Sequence, residues 1–188
     1  SLASSDICSR IYDGTKKDEC YSAVAASQND ALACKKISDQ GKKDACLIIL
    51  ASSQWEPIVC KEIVNPVLRE QCFTEQAIAK LSPLYCANIE SDSMKQYCAD
   101  EMYNLALNGV RPMGRLCREL MNQTQRETCL ILYAGTANES AACTEIYSTS
   151  YRKICEKNAG AQITTEADCS AFSAEEKDVC LAASAYNS

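Results

Sequence analysis

The chain contains no histidine. That absence removes Cys/His zinc sites, haem attachment through CxxCH, histidine-based catalytic triads and imidazole general bases. No two cysteines stand in a CxxC arrangement, so the close ligand pairs used by zinc thiolate sites are missing too. The longest apolar run is seven residues, Ala45–Ala51, far too short to cross a bilayer. Basic residues are spread along the chain, in nothing longer than adjacent pairs, and the formal net charge is −6, which argues against nucleic-acid binding. Nothing alternates with period two over a useful length, so no strand is expected. There is no signal peptide, and a start at Ser1 rather than Met reads as a processed product.

What is abundant is cysteine: 14 in 188 residues, an even number. Such usage points to an oxidising compartment, extracellular or on the cell surface. The cysteines are Cys8, Cys20, Cys34, Cys46, Cys60, Cys72, Cys86, Cys98, Cys117, Cys129, Cys143, Cys155, Cys169 and Cys180. Their intervals alternate 12 and 14, except that one 14 becomes 19 and the last 12 becomes 11. A period of 26 results, in seven copies near residues 4–29, 30–55, 56–81, 82–112, 113–138, 139–164 and 165–188. Periods of this size signal a solenoid or array.

Comparing the copies gives a template, with the first cysteine counted as zero. Position +3 is Ile11, Ile37, Ile63, Ile89, Leu120, Ile146 and Phe172. Position +5 is Asp13, Asp39, Asn65, Ser91, Asn122 and Ser148, with Ser173 in the shortened last copy; each is a good helix N-cap. A second cap signal precedes the first cysteine at Ser4, Asp30, Ser82 and Thr165, with Glu56 and Glu139 as weaker starts. Each copy therefore predicts a short helix of about two turns, a tight corner, and a second helix of about 12–15 residues. Apolar residues at +12, +13, +16 and +17, as in "CLIILA" and "CLILYA", form one face of that second helix. Stacked neighbours would bury it jointly. The expected fold is an all-α solenoid of seven helical hairpins in a single repeat domain, 1–188.

Two regular cysteine pairings exist. Pairing across the 12 interval uses all fourteen, whereas pairing across the 14 strands Cys8 and Cys180. The 12 interval survives in six copies, while the other absorbed a five-residue insertion. A corner near +4 or +5 also brings the two cysteines of one copy together on antiparallel neighbours. Seven bridges, each within its own repeat, are expected, in place of thiolate–metal chemistry.

A basic residue recurs three positions before the second cysteine: Lys17, Lys43, Arg69, Lys95, Arg126, Arg152 and Lys177. It reads either as a ladder gripping a polyanion or as a cap on the carbonyls ending the first helix, and the second is preferred. Its acidic neighbours Asp18, Asp44, Glu70, Glu127 and Asp178 read as charge neutralisers. Trp55 and Leu81 read as hydrophobic staples. Asn122-Gln-Thr and Asn138-Glu-Ser are glycosylation sequons. The insertion "NLALNGVRPMG", Asn104–Gly114, reads either as a functional loop or as extra residues that the array tolerates between repeats. Copy six is expected to pack thinly, with Glu156, Ala159 and Gly160 on its stripe.

The arrangement resembles tetratricopeptide and Sel1-like helical-hairpin arrays in architecture, although the W-x2-L-G-x2-Y signature is absent. The phrase C-x-x-I-x-D-x3-K-D-x-C, clearest at Cys8–Cys20 and Cys34–Cys46, is similar to cysteine-paired repeats of uncharacterised, predicted secreted archaeal proteins. That resemblance implies a surface location and supplies no functional residues.

The expected function is non-catalytic and structural, outside the cell, with no cofactor. Adjacent carboxylates such as Asp100–Glu101 and Glu175–Glu176 do not share a helix face and make a poor basis for catalysis. Head-to-tail stacking of copies into a filament or surface fibre is expected, through Leu2, Ile7 and Ile11 at one end and Leu181, Ala182, Ala185 and Tyr186 at the other. The alternative is a monomeric module binding a surface protein or glycan.

Overall fold

The computed structural model describes residues 2–54, 58–109, 113–161 and 163–187. Trp55, Glu56 and Val110–Pro112 of the insertion lie outside them. The fold is all-α and repetitive, with no strand among the described residues. The chain forms two compact units, residues 1–98 and 99–188.

In the first unit the long helices are α2 (Gly14–Gln28), α4 (Gln40–Gln54) and α5 (Pro66–Lys80); α6 (Asp92–Leu107) begins there and runs on into the second. Each follows a short element: α1 (Leu2–Ser9), α3 (Ala31–Lys35), and the 3-10 helices Val59–Glu62 and Pro83–Asn88. The second unit continues the pattern. There α7 (Met113–Glu119) precedes α8 (Gln123–Ala137), and 3-10 helices Ser140–Glu145 and Glu166–Cys169 precede α9 (Thr149–Ala161) and α10 (Ala174–Asn187).

The caps at +5 explain where each long helix starts. Asp13 accepts from Lys16 N at 2.9 Å, Asp39 from Lys42 N at 2.8 Å and Asn122 from Gln125 N at 3.1 Å. Asn65 accepts from Val67 and Leu68, with Pro66 in the first turn. The serine caps Ser91 and Ser148 make longer bonds, 3.4 and 3.3 Å. Ser173 is served in reverse, donating its backbone N–H to Glu176 at 2.8 Å. At the other ends, α2, α5 and α8 close on left-handed residues Asn29, Leu81 and Asn138. Both sequon asparagines are thus used by the fold itself, one starting α8 and one ending it.

Two expectations are corrected. Ser4 does not cap: it lies inside α1, which already begins at Leu2. Asp30, Ser82 and Glu139 each follow a left-handed residue that breaks the preceding helix. The short elements are also not uniformly two α-turns, since four are 3-10 helices of four to six residues. A segment that short closes few i→i−4 bonds, so the tighter i→i−3 pattern competes. The recurrent bond from the +3 N–H to the first cysteine's carbonyl is of that kind, as in Ile63 to Cys60 and Ile89 to Cys86.

Burial follows the template. Position +3 is buried from Ile37 through Ile146, and the stripe residues Leu47, Leu50, Phe73, Ala77, Leu130 and Ala134 are nearly inaccessible. Copy six departs from the expected thin packing: Glu156 and Gly160 are exposed, but Ile154, Cys155 and Ala159 are buried and α9 packs closely on α8. A buried polar residue, Asn158, fills the space. Its amide donates to Ile131 O at 2.9 Å and accepts from Ile163 N at 3.1 Å. Gly135 makes this possible, because a Cβ there would lie 2.2 Å from the Asn158 amide nitrogen.

Candidate functional site

The repeated structural element is the corner where each hairpin turns, and the seven disulfides sit beside it. Every cysteine pairs within its own repeat: 8–20, 34–46, 60–72, 86–98, 117–129, 143–155 and 169–180. No cysteine is free. The Cα–Cα distances of 5.3–5.7 Å lie in the range that needs no backbone movement. The sulfur-bearing residues are largely buried, so the bridges also serve as core.

The carboxylates beside the recurrent basic residues do more than neutralise charge. Asp18, Asp44, Glu70 and Glu127 are buried, and each reaches the backbone of the next hairpin's corner. Asp18 accepts from Ser38 N at 2.9 Å and Asp39 N at 3.1 Å. Asp44 accepts from Val64 N at 3.1 Å and Asn65 N at 2.9 Å. Glu70 accepts from Ser91 N at 2.8 Å, and Glu127 from Tyr147 N at 3.0 Å and Ser148 N at 3.4 Å. Gln40 and Gln123, one turn earlier, steady Asp44 and Glu127. Each clamp joins one repeat to the next at a helix N-terminus, where a negative charge is favoured.

These bonds hold the charged form. Asp18 titrates below the ordinary carboxylate value, chiefly because the N–H groups of Ser38 and Asp39 bind the anion. At Asp44 burial pushes upward, but the bonds from Asn65, Val64 and Gln40 together outweigh it and the value falls. The clamp position holds Lys153 in copy six. There Glu176 of the following hairpin takes over, and hydrogen bonds with Ser150 and Ser173 draw its value down.

The recurrent arginines do cap. Arg69, Arg126 and Arg152 donate to the +3 carbonyls of Ile63, Leu120 and Ile146 at 3.3, 3.2 and 2.6 Å. Lys177 instead lies 3.3 Å from Glu166. A second ladder links successive short elements: Lys35 to Glu62 at 3.0 Å, and Arg118 to Glu145 at 2.9 Å.

Two clefts open at the same repeat register, one in each unit. In the first unit, Lys61, Arg69, Phe73, Asn88 and Glu90 line about 290 Å³. In the second, a cleft of about 450 Å³ is lined by Arg118, Arg126, Leu130, Glu145, Tyr147 and Arg152, among others. Arg69 donates to Glu90 at 3.2 Å. Tyr147 holds the place of Glu90 in the second cleft and is 75 % exposed.

Of the expected contact residues, Ile7 is 63 % exposed. Ile11 and Leu181 are half-buried, and Ala182 and Ala185 are exposed. The side chains of Leu2 and Tyr186 lie outside the description. Among the described residues no group of His, Cys, Asp and Glu is arranged to hold a metal ion, and no helix is long and apolar enough to cross a membrane. Comparison with family models, curated proteins and solved structures finds no match.

Proposed function

We propose that this chain is a non-catalytic structural protein of the extracellular space or cell surface, and that copies of it associate head to tail. The supporting observation is the exposure of Ile7. At its place in four of the six later repeats, Ala33, Val59, Leu116 and Ala142 are 1, 5, 1 and 0 % exposed, while Tyr85 and Asp168 are half-buried. The short elements that carry Ala33, Val59 and Ala142 pack on the preceding long helices α2, α4 and α8. A second copy's last hairpin would cover Ile7 in the same way, and such a heterologous contact propagates into a ring or an open filament. Ala185 offers the matching face: it is exposed, as Gly160 is at the same register, where Ala25, Ala51, Ala77 and Ala134 are buried. Seven staples suit such an object, since each constrains the unfolded chain whatever its surroundings.

Sedimentation of the oxidised protein over a wide concentration range tests the reading. Concentration-dependent association, lost in Ile7→Lys, is expected. A monomer at every concentration would overturn it. The second reading, a monomeric binding module, is favoured by the cleft in the second unit.

A further inference from the structure

We infer that the cleft between the corners of the fifth and sixth repeats is a binding site for an acidic sugar, a uronate unit of an anionic polysaccharide. The site is independent of self-association and lies wholly within the second unit.

Three guanidiniums line it, against one carboxylate. Arg118 is already engaged, its Nε donating to both oxygens of Glu145 at 2.9 and 3.0 Å. Arg126 gives one N–H to Leu120 O, and Arg152 gives two to Ile146 O. Their remaining N–H groups meet no acceptor among the described residues. The backbone bonds fix both side chains, so little rotamer freedom is lost when an anion arrives.

The first unit indicates what chemistry completes such a cleft. Arg69 has the same repeat position as Arg126 and makes the same bond to its +3 carbonyl. Its outer nitrogen, Nη2, is occupied by a carboxylate that the chain itself provides, Glu90. The equivalent of Glu90 in the second cleft is Tyr147, a phenol in place of a carboxylate. The carboxylate of the second cleft stands two residues earlier, at Glu145, and is held by Arg118, so Arg126 lacks the partner that Glu90 gives Arg69. A planar carboxylate suits a guanidinium fork.

Two features favour a sugar acid over an acidic peptide. Tyr147 presents an exposed ring at the mouth, an apolar body with a polar tip, suited to the face of a pyranose. The Thr144 hydroxyl also lines the cleft and can meet ring hydroxyls. The volume, about 450 Å³, lies within the usual range for small-ligand sites.

Calorimetric titration of the oxidised protein with a galacturonate tetramer tests this, with maltotetraose and a pentaglutamate peptide as parallel probes. One site per chain is expected for the uronate, weakened by added salt, with no heat from the neutral sugar. Tyr147→Glu places a carboxylate at the register of Glu90, an exposed position that does not threaten folding. It should weaken uronate binding about tenfold or more, the scale of one charge-assisted hydrogen-bond pair. Arg126→Gln should do the same. Absence of uronate binding would overturn the proposal. So would equal or tighter binding of the peptide, or a Tyr147→Glu protein that binds as the wild type does.

Discussion

The joint between the second and third repeats and that between the sixth and seventh do the same work with different residues. In the first, Asp44 on α4 reaches forward to two corner amides, and Leu47 and Leu50 fill the stripe behind it. In the second, Lys153 holds the clamp position and the stripe residues Glu156 and Gly160 are exposed. Glu176 then bonds backward to Ser150 and to Ser173 of its own hairpin, while Asn158 accepts from Ile163 N at the approach to the seventh repeat. The inter-repeat joint is therefore a requirement on the backbone, anchored amides at a corner, rather than on a residue at a fixed position.

The comparison breaks most visibly at the disulfides. Each bridge closes a loop worth about 3 kcal/mol in the chain-entropy model. Replacing Cys143 and Cys155 together by serine should lower thermal stability by that amount and expose α9 to hydrogen exchange. The same exchange at Cys34 and Cys46 should cost a similar amount and leave α4 protected, because its stripe is full.

Glycines sharpen the contrast within the second unit. Gly135→Ala should cost about 1–3 kcal/mol, as overpacking does, because its Cβ collides with Asn158. Gly160→Ala meets nothing within 4 Å and should stabilise α9 by about 0.5–1 kcal/mol. Denaturant melts of both variants read the opposite signs. Removing a clamp comes next: Glu127→Ala leaves the amides of Tyr147 and Ser148 without their acceptor and should cost about 2 kcal/mol.

The smallest effect is on pH. Asp18 and Asp44 titrate lower in the folded chain than in the unfolded one. Their contribution is therefore complete above the unfolded value of about 3.9 and disappears as pH falls through the folded values. Asp18→Asn with Asp44→Asn should flatten the acid side of a stability–pH curve and leave its alkaline side alone.

Much of this was legible before any coordinates. The caps Asp13, Asn65 and Asn122 and the seven disulfides follow from the 26-residue period, because caps and bridges act over short sequence distances. The carboxylate clamps were misread. Asp18 stands next to Lys17 and looks like a local neutraliser, yet its partners lie 20 and 21 residues on. Its recurrence at one register was the available signal. The pairing of Gly135 with Asn158 had no signal, since it depends on how closely α8 and α9 approach.

The clamps grip main-chain N–H groups, and every residue except proline carries one. Where a clamp takes the +4 amide, at Ser38, Val64 and Tyr147, that position is held without regard to its side chain. Such an architecture separates inheritance of shape from inheritance of surface chemistry. A substitution at +4 can rewrite what a repeat displays while leaving the lock to its neighbour intact, so an array of this kind can acquire new ligands one repeat at a time.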